Sequence, residues 1–212
     1  MADIIATRRT ILGCLSAILI LCAGFASTSE ANDAESAATK HIENMIVAAE
    51  GLLHEDSNDP LKRANAVAGL LDSYFDFPAI TRFSAGPYWR AATEAEKREY
   101  EQALRQVIIS TVVNNFDKLQ GLKYNHLAST PKGSKLVLVS GEFIDTTGTR
   151  PTVLVNWRVI ADSVGRPAVM DIEIENISML ITQKQENVAI IRQNKGKFAA
   201  LIEAIKAKQT TN

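Results

Sequence analysis

The chain has 212 residues, and its 23 lysines and arginines against 24 aspartates and glutamates leave a net charge of −1. That length suits one domain with one packed core. The near-neutral balance excludes the basic footprint of a nucleic-acid-binding protein and a polybasic patch for anionic lipid headgroups.

Residues 1–31 read as a cleaved export signal: Arg8 and Arg9 form a positive start, Ile11 to Phe25 is an almost unbroken apolar run, and Ser29-Glu30-Ala31 offers a cleavage site. The apolar run is shorter than the roughly 20 residues a membrane span needs. Thr7-Arg8-Arg9-Thr10-Ile11-Leu12 also resembles a twin-arginine export signal, so either export route is open. Cys14 opens the apolar run instead of following it, which argues against a lipoprotein anchor. Both cysteines, Cys14 and Cys22, lie in this segment. Residues 32–212 therefore contain no disulfide, thiolate metal site or cysteine nucleophile.

The mature chain reads helix, then strand, then helix. Ile42, Met45, Ile46, Ala49 and Leu53 recur at helical spacing and predict a helix over 34–53. A turn cluster closing on Pro60 separates it from a second helix over 61–75, with the stripe Ala64, Val67, Ala68, Leu71, Tyr74, Phe75. Pro78 opens a short helix through Phe83, which Gly86-Pro87 ends. Thr93 and Glu96 form a capping box opening a helix over 94–120, expected to be the longest, with Tyr100, Leu104, Ile108, Val112 and Phe116 on one face.

From Leu122 the apolar period becomes two, predicting strands over 123–129, 135–144, 152–161 and 168–177. Their short glycine-containing connections make a four-stranded antiparallel meander. Val153, Val155, Trp157 and Val159 share one face, as do Met170, Ile172 and Ile174. Asp171, Glu173 and Glu175 then form a solvated face. Helices over 178–193 and 197–208 complete an α+β domain, with helices packed on one face of a curled sheet.

No catalytic motif is present. The three histidines, His41, His54 and His126, lack metal-ligand spacing, and no nucleophile elbow, zinc-protease helix or phosphate loop occurs. No cofactor or metal is implied. The remaining signal is apolar content where strands meet long helices, together with the aromatic stretch Tyr74, Phe75, Phe77, Phe83, Tyr88, Trp89.

That stretch carries Asp76-Phe77, Ala79, Arg82-Phe83, Gly86, Tyr88-Trp89-Arg90 and Ala92-Thr93 ahead of a helix bearing Tyr100, Leu104 and Phe116. With the closing strand "VMDIEIENISM" and its Ile177-Ser178 junction into a helix, it resembles the MlaC family over 34–208. The chain departs by offering Lys184 and Asn187 where many members have an arginine and then a phenylalanine. This fits a divergent branch, of which the hopanoid-associated one is a candidate.

The resemblance implies a non-enzymatic periplasmic carrier that encloses the acyl chains of a phospholipid, or a hopanoid-type lipid, in an apolar cavity. It would shuttle that lipid between an outer-membrane lipoprotein/porin complex and an inner-membrane ABC transporter complex. The expected lining is Phe75, Phe83 and Trp89 from the aromatic stretch and Leu104, Ile108 and Val112 from the long helix. The strands would add Val137, Val139, Val155, Trp157, Val159, Ile172 and Ile174. Two other readings remain open: a small α+β hydrolase or isomerase with an acid or His126 in its pocket, and a structural adaptor with a solid core.

Overall fold

A computed structural model describes residues 26–54, 59–161 and 165–211. The expected leader falls outside these residues up to position 25, and the expected cut at Ala31 falls within the first helix, α1 (Ala26–His54). Ala38, His41, Ile42 and Met45 are its buried stripe, at the spacing that lines one helix face.

Helix α2 (Pro60–Tyr74) starts on Asp59, whose carboxylate accepts the Leu61 N–H at 2.9 Å, with Pro60 in the first turn. Helix α3 (Phe77–Ser84) starts on Asp76, which accepts from the Ala79 N–H at 3.0 Å, and a 3-10 turn follows over Gly86–Arg90. Helix α4 (Glu94–Asn114) opens on the expected capping box, since Glu96 N–H donates to Thr93 Oγ1 and Thr93 N–H to Glu96 Oε2.

Helix α4 stops six residues short of the expected end. The Asn115 amide donates back to the Thr111 carbonyl at 2.8 Å, a local bond that competes with the helix ladder, and the separate turn α5 (Phe116–Leu119) follows. At 29 residues, α1 is longer than the 21-residue α4.

The sheet is open, antiparallel and ordered β1-β2-β3-β4-β5: β1 (Leu122–Lys132), β2 (Leu136–Asp145), β3 (Val153–Ile160), β4 (Ala168–Ile174) and β5 (Ile177–Ser178). The fifth strand exceeds the expected four because Glu175 and Asn176 both take left-handed φ, at 50° and 64°. Their tight turn folds Ile177 back onto Ile174. Helices α6 (Met179–Gln193) and α7 (Phe198–Thr211) end the chain.

The face beneath α1, the inner face, is ordered in rows by the register. Pro131, Val137, Val159 and Val169 form one row; Ser129, Val139, Trp157 and Ile172 the next; then His126, Gly141, Val155 and Ile174; and last Tyr124, Phe143 and Val153. One expectation is corrected. An extra residue in β4, opposite Arg158/Val159, removes Met170 from this face and puts Val169 there. A bulge in β1, between His126 and Ala128, likewise keeps both halves of that strand on one face.

The carboxylates of "DIEIE" are not simply solvated. Asp171 is buried, accepting from Ser178 Oγ at 2.5 Å and the Leu180 N–H at 2.9 Å, which ties the start of α6 to β4. Glu173 pairs with Arg158 at 2.8 Å, and Glu175 accepts the Leu154 N–H at 2.7 Å.

Candidate functional site

The buried apolar residues do not merge into one core, although a single contiguous core is usual for a domain. One cluster joins α1 to the inner face: Ala38, Ile42 and Met45 against Val137, Val139, Val155, Trp157, Val159 and Val169. A second belongs to the helices, with Phe77, Tyr100, Leu104, Ile191, Phe198 and Leu201 among its members. The third is small, Val67 and Leu71 of α2 with Ile109 of α4. They meet through half-buried side chains: Phe75 packs on the first and third, and Ile108 on the second and third.

Backbone bonds place Phe75 at this junction. It bridges Val169 of β4, and the Asp76 N–H donates to the Val169 carbonyl at 3.0 Å. The end of α2 is thereby sewn to the sheet, with Phe75 packed against both the inner-face cluster and the small cluster that α2 shares with α4. Helix α4 itself packs chiefly on α2, α3 and α7. Its Val107, Ile108, Val112 and Val113 are half-buried against the clusters.

Cover on the inner face thins along the rows. Val137, Val159 and Val169 are at most 1% exposed, whereas Ile174 is 40% exposed, and Tyr124, Phe143 and Val153 are half-buried. At the thinning end the floor is shaped by Gly141. A Cβ there would stand 2.3 Å from the Tyr124 hydroxyl oxygen, so the Tyr124 ring lies flat across β2 only because the side chain is missing. Burial pushes the Tyr124 phenol up to about 12.

A buried polar knot ties α3, α4 and α6 together within the helical cluster. Asn187 of α6 donates to the Tyr100 hydroxyl at 2.8 Å and to the Ser84 carbonyl at 3.1 Å. Tyr100 and Ser84 Oγ lie 2.7 Å apart, Ser84 donates on to the Thr81 carbonyl, and Gln183 donates to Asn187 Oδ1. Burial pushes Tyr100 up to about 12 as well. Lys184, the other departure from the family pattern, sets its Nζ 4.5 Å above the Phe83 ring.

The description "MlaC protein" attaches to the family model that matches residues 42–207, most of the chain. The chain belongs to the MlaC family. Among solved structures it is similar to a phospholipid-binding protein from Ralstonia solanacearum in complex with a phospholipid. The two share 17% identity and a TM-score of 0.70, over 82% of this chain and 97% of that one. No curated protein matches it.

The MlaC match runs from the buried stripe of α1 into α7 and takes in all thirteen residues expected to line the site. The structure distributes them. Val137, Val139, Val155, Trp157 and Val159 form the buried floor, with Ile172 and Ile174 at its edge. Phe75 and Ile108 lie at the meeting of the clusters, Val112 packs on the third alone, and Leu104 is inside the helical one. Phe83 lies apart from the clusters, and Trp89 packs on the helical one away from the sheet floor. Phe83 is 40% exposed beside Lys184. Trp89 packs edge-on to Tyr100, with Lys97 Nζ 5.6 Å from its ring. The expectation omitted Tyr124 and Phe143, yet Phe143 follows Val137, Val139 and Gly141 by strict alternation. Tyr124 was hidden by the bulge in its strand.

Among the described residues no group of three or more histidine, cysteine or acidic side chains could hold a metal, and no helix is long and apolar enough to cross a membrane.

Proposed function

We propose that this MlaC-family protein is a periplasmic lipid carrier that takes up the acyl chains of a phospholipid between the inner face of the sheet and helices α2 and α4. The observation that carries this reading is the division of the apolar interior into three clusters meeting through half-buried side chains. Fully burying a residue such as Phe75 or Ile108 is worth about 1.5–3 kcal/mol. A chain that leaves such residues incompletely covered gives up stability that contact with hydrocarbon restores.

Transport supplies the reason. At about 0.8 kcal/mol per buried CH₂, a single fatty tail exposed to water costs on the order of 10 kcal/mol. Lipid crosses an aqueous compartment only if something hides its tails, and an apolar site with few polar groups does so. The likeness to a fold solved with phospholipid bound supports the choice of ligand class. Within this reading the carrier exchanges its lipid with an outer-membrane lipoprotein/porin complex and an inner-membrane ABC transporter complex.

A hydrolase or isomerase reading finds less support. The buried carboxylates of the described residues, Asp145 and Asp171, are engaged by a hairpin and a helix start. His126 is exposed and lies 3.0 Å from Ser129 Oγ.

Mass spectrometry of the protein purified from the periplasm of its own cells tests the proposal. Co-purified phospholipid in near-stoichiometric amount is the expected result. A lipid-free preparation that also takes up none from vesicles would overturn it.

A further inference from the structure

Two polar atoms on the inner face are shut off from solvent and lack a hydrogen-bond partner: the Tyr124 hydroxyl oxygen and the Trp157 indole nitrogen. Tyr124 comes from the most open row and lies across Gly141 toward β3. Trp157 stands one row deeper on β3, diagonal to Gly141. The two groups thus converge over the gap that the glycine leaves in the floor. The indole N–H is close enough to the phenol oxygen to act on it as a hydrogen-bond donor, which favours the phenolate against the larger effect of burial, though the two do not meet in good hydrogen-bond geometry. Even if that N–H is credited to the phenol oxygen, the phenol's own hydrogen has no acceptor, because an indole nitrogen only donates.

Trp157 is 94% buried, from its 6% exposure, so water does not readily satisfy it. Leaving buried donors orphaned is unfavourable, and native structures seldom tolerate it without a reason. An acceptor brought in by a ligand is such a reason.

We propose that Tyr124 Oη–H and Trp157 Nε1–H form a donor pair for an acyl ester carbonyl of the bound lipid. This rests on the carrier reading and specifies the ligand of the same site. Both protein groups are donors, so the matching group must accept. A phosphate oxygen would call for a cation, yet the inner-face positions of these rows hold no lysine or arginine. A neutral carbonyl needs none. The pair also stands between the fully packed rows and the partly open ones, as an ester stands between the tails and the headgroup of a lipid. Apolar walls grip the chains without discriminating their chemistry, whereas orphaned donors reject an analogue that lacks the acceptor.

The test offers the full chain vesicles containing equal amounts of dipalmitoyl-phosphatidylethanolamine and its diether counterpart, dihexadecyl-phosphatidylethanolamine. Lipid eluting with the protein is then quantified by mass spectrometry. The diether keeps the headgroup and tails but has no carbonyl. The unaltered protein is expected to retain the diester about 5- to 30-fold in excess. In Tyr124→Phe and Trp157→Phe, checked for an unchanged fold by circular dichroism, the diester-to-diether ratio of whatever lipid each variant retains should shrink toward parity. Equal retention of the two lipids by the unaltered protein overturns the donor pair and leaves the carrier reading standing. A preference that survives in both folded variants also overturns it. Retention of neither lipid removes the carrier reading, and the proposal with it.

Discussion

His41 lies on the buried side of α1 with Nε2 3.0 Å from the Tyr74 carbonyl oxygen and its ring 5.1 Å from the Tyr74 ring. Burial lowers its pKa from 6.5, the Tyr74 carbonyl partly opposes this, and Arg166 adds to the lowering. The unfolded chain therefore takes up a proton that the folded chain resists. Stability should be full above about pH 6.5 and decline as the pH falls toward the lowered folded value. Urea midpoints measured between about pH 5 and 8 should show this slope, and His41→Gln should flatten it. Asp145 acts further into the acid. The Arg150 guanidinium beside it, followed by Thr147 and Thr149, holds its carboxyl well below the usual carboxylate range. Its contribution is complete above the unfolded value near 3.8 and is lost as the pH falls below it. Asp145→Asn should therefore lower the urea midpoint at neutral pH and narrow the acid loss. Arg150 also donates to the Lys118 and Gln120 carbonyls, so the same substitution should loosen the join between α5 and the β2–β3 hairpin.

At the scale of elements, helices and strands were legible wherever period and capping agreed. Thr93 with Glu96 marked the start of α4, and Asp59 with Pro60 marked α2. The misses share a physical cause: one residue that resets a pattern locally. Asn115 ends α4 by bonding its own backbone, and Met170 is the odd residue that transfers the inner face to Val169. Alternation counted from the far end of a strand cannot register an inserted residue, because a single insertion exchanges the two faces. Glu175 and Asn176 gave no glycine signal for the turn that makes β5. Gly141 gives the most direct test at this scale. Gly141→Ala should cost about 1–3 kcal/mol by crowding the Tyr124 ring. The same change in a Tyr124→Ala background should cost markedly less. A double-mutant cycle by chemical denaturation measures the difference, and additive penalties would mean that the ring does not depend on the glycine.

For the whole molecule, the sheet floor was readable from Val137, Val139, Val155, Trp157 and Val159, whose alternation survives intact in the structure. The separation of that floor from the helical cluster was not readable, because it depends on where α4 docks, and no local pattern encodes that. The arrangement distinguishes two substitutions that look equivalent in the sequence. Val155 is 2% exposed, so Val155→Arg should prevent folding by burying an unpaired charge, whereas Ile174, 40% exposed on the same face, should tolerate arginine. Ile174→Arg is thus expected to keep secretion and melting temperature while lowering retained lipid at least several-fold, as read by lipid mass spectrometry on the secreted protein. Undiminished lipid would place the site elsewhere. The meander order has a kinetic corollary. Strands β1 to β4 each pair with their neighbour in the chain through short connections, so little loop entropy opposes their assembly. Helix α1 reaches the same sheet from far upstream, as the 2.6 Å contact between Thr39 and Ser129, 90 residues apart in the chain, shows. The sheet should accordingly form before its cover. During that interval Val137, Val139 and Val159 face water, and in this window the nascent chain is most exposed to aggregation.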